Sequence, residues 1–272
     1  MRAKPPHRAR RRFGQHFLHE TAIIDRIIHA VAPAAGGAFV EIGPGLGALT
    51  GPLLESAGEL DVVEIDHDLA ARLREMFPDE TTLRIHNVDA LKFDFKSLAE
   101  RHGPLRIVGN LPYNISTPLL FRLIDQEPSI ADMHLMLQKE VVDRIAAGPG
   151  SRDYGRLSVM VQFRCRVEAL FTVGPGAFSP PPKVSSAVVR LSLRDIPPAE
   201  VADPAALSRI VSLAFGQRRK TLRNSLKACL PQARISAAGI DPGARAETLS
   251  LAQFAALANA LADADSQGTT DV

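Results

Sequence analysis

The segment LRIVGNLPYNISTPLL, residues 105–120, ends an apolar run in Asn110, Leu111, Pro112 and Tyr113. A loop that only turns the chain favours Gly, Asp or Ser, so a polar group, a stiff corner and an aromatic ring in succession point to something held there. The Asn110 side-chain oxygen and a backbone carbonyl fixed by Pro112 can both accept hydrogens from one amino group. Such a pair suits an aromatic amine, whose nitrogen is a poor nucleophile because its lone pair is delocalised into the ring. Two acceptors drawing on its hydrogens favour a tetrahedral, more electron-rich nitrogen. Tyr113 can stack on the base, and its face favours the positive charge that develops on attack. An Asn-capped turn with a packed Tyr is the structural alternative.

Other residues of the same kind end other apolar runs. EIGPGLGA, residues 41–48, sets Gly43, Gly45 and Gly47 at a strand-to-helix turn, where glycine lets the backbone approach a ligand. Read as G-x-G-x-x-A, the turn also matches a dinucleotide fingerprint, with Glu64 in the place of a ribose-binding acid. A tight turn with no ligand would use the same glycines. Glu41, Glu64 and Asp89 lie at the ends of successive apolar runs. Carboxylates there can accept from ribose hydroxyls and from the amine of adenine, although one such acid alone would be an ordinary helix cap.

These residues need a scaffold, and the chain spells one out. AFVEIG, LDVVEID, LRIHNVDA, LRIVGN and DMHLMLQ are short apolar runs separated by helix-length stretches, which is the βαβ pattern of a mostly parallel sheet. RLSVMVQFRCRVEALFTV and SAVVRLSL add two late strands, read as an antiparallel pair at a sheet edge. A helix is predicted over residues 17–32 from the spacing of Ile23, Ile24, Ile27, Ile28 and Val31. DIPPAEVADP, residues 195–204, reads as a linker; beyond it only helical spacing recurs, in residues 207–230 and 250–264. The expected division is a basic arm over 1–12, a catalytic domain over 13–195, a small helical domain over 196–264 and a disordered tail over 265–272.

The 272 residues are 46% hydrophobic and 23% charged, an ordinary globular balance, and no apolar run reaches the length of a membrane span. The only cysteines, Cys165 and Cys229, are too far apart to suggest a metal site or a disulfide framework, which favours a reducing compartment. Net charge is +2, yet residues 2–12 carry six Lys or Arg and residues 204–240 carry seven, with no acid in either stretch. Two basic stripes on a near-neutral chain suggest a polyanion, the alternatives being a solvated tail and an ordinary helix face. A transit peptide fits poorly, because Pro5 and Pro6 interrupt an amphipathic helix and the first 20 residues hold no serine.

RFGQHFL, EIGPGLGALT, VEID, NVDAL, GNLPYNISTPLL, MLQKEV, YGRLSV, FSPPPKVSSAVVRL and FGQRRKTLRNSL together resemble the KsgA/RsmA family of ribosomal RNA small-subunit adenine dimethyltransferases. The resemblance spans about residues 11–260. It implies a Rossmann-like class I methyltransferase, an α/β fold with a mostly parallel seven-stranded sheet and an antiparallel edge strand, followed by a small all-helical domain. It implies a cytoplasmic, monomeric enzyme without metal. Such an enzyme transfers methyl groups from S-adenosylmethionine, leaving S-adenosylhomocysteine, to the N6 amines of two adjacent adenosines in a hairpin loop near the 3′ end of 16S rRNA, within the small subunit or its precursor. Carried onto this chain, His16 and Leu18 border the cofactor, Gly43 and Gly45 adjoin it, Glu64 takes its ribose and Asp89 its adenine. Asn110 stands between cofactor and target amine, within a catalytic set of Asn110, Leu111, Pro112, Tyr113 and Phe178. Phe178 takes the place of an aromatic on the other face of the target base, with a core position as the alternative. Relatives often have Asn where this chain has His16. Arg218, Arg219, Lys220, Arg223 and Lys227 are the expected RNA contacts.

Three other readings stand beside this one. A macrolide-resistance type 23S dimethyltransferase shares the methyltransferase motifs but resembles FGQRRKTLRNSL less. An NAD-linked oxidoreductase accounts for the glycines and Glu64 but not for residues 110–113. A non-catalytic ribosome-assembly factor requires a decayed site, whereas these motifs are intact.

Overall fold

The structure, a computed structural model, describes residues 10, 14–78, 82–217 and 219–268. The strands are β1 (Phe17–Leu18), β2 (Phe39–Ile42), β3 (Leu60–Val63), β4 (Leu83–His86), β5 (Leu105–Asn110), β6 (Ile130–Gln138), β7 (Cys165–Val173), β8 (Phe178–Ser179) and β9 (Ser186–Leu193). Seven of them form one sheet in the order β4-β3-β2-β5-β6-β9-β7, while β1 and β8 make a separate antiparallel pair. The pairs from β4 through β6 are parallel, and β9 runs antiparallel to β6, one place in from the edge strand β7. The sheet is therefore the one expected, and its last two strands close one edge.

Short continuous apolar strands build this sheet because both of its faces are covered. Every residue of β2 and β3 is buried, Glu41 and Asp61 among them. The chain begins in the middle with β2, steps outward to β4, then returns to β5 on the other side of β2. Ligands bind beyond the carboxyl ends of strands at such a reversal. At this point β2 and β5 approach so closely that a Cβ on Gly109 would stand 2.7 Å from the Ile42 carbonyl oxygen, which requires glycine there.

The chain divides into two compact units: residues 1–142 with 166–193, and residues 143–165 with 194–272. The second unit takes in residues 143–165, which the sequence reading left inside the catalytic domain. The cause is a misread element. Residues 156–164, expected as the first half of a strand, form the helix Arg156–Arg164, and the strand begins only at Cys165. Ser158 Oγ accepts from the Gly155 backbone N–H at 3.0 Å to start the helix. Val159 and Phe163, four residues apart, then join Ile210, Leu226 and Phe254 in the core of the second unit. Its other helices open at Pro204, where Asp203 accepts from the Ala205 and Ala206 N–H groups, and close with Leu251–Gly268. That last helix runs through Gly268, into residues expected as a disordered tail; 269–272 lie outside the described residues.

Two further expectations change. The predicted helix over 17–32 spans Thr21–Val31, with Phe17 and Leu18 taken instead by β1. The helical stretch expected over 207–230 breaks: one helix ends at Phe215, Gly216, Gln217, Arg219 and Lys220 lie outside any helix, and a short helix covers Leu222–Ser225. The physical reason is Gly216 at the C-cap of the first helix and Thr221 opening the next in extended backbone. The basic cluster therefore sits on a turn and a short helix rather than along one helix face, and Arg218 itself lies outside the described residues.

Candidate active site

Ten of the expected residues meet in one cavity of the first unit, at the carboxyl ends of β2 to β5. His16, Leu18, Gly43, Gly45, Glu64, Asp89, Asn110, Leu111, Pro112 and Tyr113 all line it. Gly43, at φ +68°, donates its N–H to Val63 O at 2.9 Å and turns the chain out of β2 beneath the Asn110 carbonyl. A Cβ on Gly45 would come within 3.1 Å of the Phe17 ring, so the glycine turn and β1 are in contact across the cavity wall.

The acids are built in rather than merely present. Glu64 is buried and accepts from Asp66 N–H at 2.8 Å and from Gly45 N–H at 3.3 Å. Burial raises its pKa against the pull of those backbone hydrogen bonds. Its oxygens retain lone pairs for a diol. Asp89 accepts from Leu91 N–H at 2.9 Å. Ile65, between Glu64 and Asp66, is 47% exposed and lines the cavity with Val88 and Leu91, an apolar slot for a flat ring. Sequence reasoning passed over Ile65; an apolar residue between two acids at a strand end was the available signal.

Glu41 is the third acid, and it differs from the other two. Thr50 Oγ1 donates to its Oε2 at 2.6 Å. Burial pushes its carboxyl up to about 8, the hydrogen bond from Thr50 offsets part of this, and the nearby Glu64 charge adds to it. A carboxyl raised in the folded state keeps its proton where the unfolded chain has already lost it, so folded stability falls as pH rises from about 4.5 to about 8. Glu41→Gln removes that titration. Its melting temperature is expected to drop less than that of the wild type between pH 5 and pH 8, and parallel pH profiles in thermal melts would contradict the assignment.

Asn110 closes β5 with its side chain at the cavity. Its Nδ2 donates to the His16 carbonyl at 3.0 Å, which leaves Oδ1 as an acceptor for a ligand. Leu111 is buried and its N–H donates to Met136 O, so it offers the site only backbone. Pro112 O accepts from Ile115 N–H at 3.1 Å, which fixes the corner. The Tyr113 hydroxyl is bonded to Ser186 Oγ at 2.8 Å, and its ring stacks on His16 with centroids 5.7 Å apart. His16 in turn bonds Pro180 O through Nδ1 at 2.7 Å. One side of the Tyr113 ring is thus already occupied by a residue that sequence reasoning assigned to the cofactor.

Phe178 stands apart from the other residues of this set. It lies in β8, pairs in register with Leu18 and is 3% exposed, packed in the core cluster with Leu49 and Val188. It is not among the residues that line the cavity. Arg10 is the only described residue of the expected basic arm, and it is not free for a polyanion. It pairs with Asp66 at 2.9 Å and with Asp68, and Gln15 joins the same Asp66 at 3.0 Å. In the second unit Arg219, Lys220, Arg223 and Lys227 are all exposed, with no ion pair among the described residues.

The donor set suits S-adenosylmethionine. Among the described residues the cavity offers carboxylates to a cationic ligand with a ribose and an adenine, an apolar slot beside them, and no Lys or Arg. Among the described residues no helix is long and apolar enough to cross a membrane.

The family described as ribosomal RNA adenine dimethylase matches residues 6–263. A Pseudomonas putida protein called ribosomal RNA small subunit methyltransferase A is 58% identical over 257 residues, covering 94% of this chain and 96% of that one. A protein of the same name from Nitrosococcus oceani is 58% identical over 251 residues, covering 92% and 95%. Among solved structures, a dimethyladenosine transferase from Plasmodium falciparum superposes with a TM-score of 0.78 at 25% identity, covering 93% of this chain and 98% of that one. The 23S rRNA methyltransferase ErmE gives 0.71 at 28% identity, covering 90% and 99%.

Proposed function

We propose that this chain, which belongs to the ribosomal RNA adenine dimethylase family, methylates the N6 amines of two adjacent adenosines in the 3′-terminal hairpin loop of 16S rRNA, in the small subunit or its precursor. The observation that carries the reading is Asn110: one amide hydrogen is committed to His16 O while its acceptor remains beside the rigid Pro112 corner. Glu64 holds the cofactor ribose, Asp89 and the slot of Ile65, Val88 and Leu91 hold its adenine, and the Gly43 turn adjoins its methionine end. When bound, S-adenosylmethionine supplies an electrophilic methyl group on a positively charged sulfur.

The protein's own part is position and polarity. Asn110 Oδ1 and a neighbouring backbone carbonyl accept the hydrogens of the incoming amine and steer its lone pair away from the ring. Tyr113, pinned through its hydroxyl to Ser186, presents a ring whose negative face favours the cationic nitrogen. A strong base is unnecessary, because a methylated ammonium sheds its proton readily. The small-subunit substrate is favoured over 23S rRNA by the relatives at 58% identity, all of the small-subunit name, against 28% for ErmE. With only two cysteines, too far apart in sequence to suggest a disulfide framework, the composition suits action in the cytoplasm.

The test is direct. The protein is incubated with methyl-labelled S-adenosylmethionine and small subunits lacking these methyl groups, and the modified nucleotides are mapped. Label at two neighbouring adenosines near the 3′ end is the expected result. Label elsewhere, or label only on large-subunit RNA, overturns the assignment.

A further inference from the structure

A second cavity in the first unit shares the wall of His16 and Tyr113 with the acid-lined one, and its charge is reversed. Among the described residues, Glu41, Glu64 and Asp89 line the first cavity with no Lys or Arg, whereas Arg72, Lys183 and His19 line the second with no Asp or Glu. Arg72 comes from the helix His67–Met76, and Lys183 from the proline-rich loop after β8. Both are exposed, and neither has an ion pair or side-chain hydrogen bond among the described residues. Two exposed cations from different elements, on a cavity with no acid among its described lining residues, attract a polyanion. Inside that rim, the Tyr113 ring and the Gln138 amide are groups that meet a base by stacking and hydrogen bonding.

We propose that Arg72 and Lys183 form a phosphodiester-binding rim on the acceptor cavity, gripping the RNA backbone that flanks the nucleotide whose base enters beside Tyr113. This rests on the RNA-methylating reading above. It adds a second backbone grip in the catalytic unit, separate from the basic turn of the helical unit. The two cavities thereby sort their ligands by charge: a cationic donor to the acidic side, an anionic strand to the basic side. A contact at the rim fixes the register of the strand rather than its sequence.

The probe is a stem-loop RNA with two adjacent unpaired adenosines, read by fluorescence anisotropy across a salt series without cofactor. Each of Arg72→Ala and Lys183→Ala is expected to flatten the log–log salt slope by about 0.7, the value for one phosphate contact on a single strand, and the double variant by about twice that. Lys183→Arg should retain the wild-type slope, and calorimetric affinity for S-adenosylmethionine should stay unchanged in every variant. A double variant with the wild-type slope overturns the rim, as does loss of cofactor affinity in place of RNA affinity. If the slopes fall as stated while the wild type leaves adenosines unmethylated, the rim stands and the proposed reaction fails.

Discussion

Asn110→Ala should lower single-turnover methyl transfer by about 10²- to 10³-fold, the scale seen when one preorganised hydrogen-bonding group is removed from a reacting centre. The expectation follows from where Asn110 stands. It ends β5 at the reversal of the sheet, its Nδ2 is held by His16 O at 3.0 Å, and its acceptor is left for the incoming amine. Binding of S-adenosylmethionine should change little, because Glu64, Asp89 and the Gly43 turn are held by bonds that do not involve the Asn110 side chain. Asn110→Asp separates the two jobs of the amide. The carboxylate can still accept but cannot donate to His16 O, so a rate between wild type and Ala places part of the effect in the amine contact. Single-turnover kinetics beside calorimetry read both quantities. Equal losses of cofactor affinity and rate in Asn110→Ala would make Asn110 part of the cavity wall and nothing more.

How far such a site is legible in the chain depends on what fixes each residue. Gly43, Glu64 and Asp89 follow short, mostly apolar strands and Asn110 ends one, and a parallel sheet places the ends of such strands together at its reversal; local pattern and topology agree there. Phe178 is less legible, because the same Phe satisfies a rim or a core, and its burial follows from the pairing of Leu18 with Phe178, which no local pattern announces. Residues 156–164 misled for a related reason. Val159, Val161 and Phe163 alternate like a strand, yet Val159 and Phe163 also fall on one helix face, and the core of the second unit chose the helix. The tie of Arg10 and Gln15 to Asp66 joins residues some fifty positions apart, and no local signal announces it. His16 was read as a cofactor neighbour from a motif, and its stacking on Tyr113 depends on a loop that only the fold brings close.

The basic turn of the second unit carries the other large effect. Replacing Arg219, Lys220 and Arg223 together with Ala is expected to weaken binding to unmethylated small subunits about 10²-fold at physiological salt, and to flatten the log–log salt slope by about 2 to 3. Residues 204–240 hold no acid, and all three side chains are exposed with no ion pair among the described residues, so their charge is not neutralised within the unit. Their backbone is nevertheless fixed: Lys220 N–H bonds Gln217 O at 2.9 Å, Leu222 N–H bonds Ala244 O at 2.9 Å, and Arg223 N–H bonds Pro242 O at 3.0 Å. Exposed cations on a held backbone lose less freedom on meeting phosphate than the same residues on a loose tail would. The triple variant should keep its folding transition, since Leu222 and Leu226 supply the burial in this segment and remain in place. It should also keep its affinity for S-adenosylmethionine, which Asn110→Ala keeps too, so that the two variants fail in different assays. Subunit binding by both proteins across a salt series decides the matter. A triple variant that binds with the wild-type slope would move docking away from the basic turn, and an Asn110→Ala protein that no longer binds the subunit would end the separation of docking from chemistry.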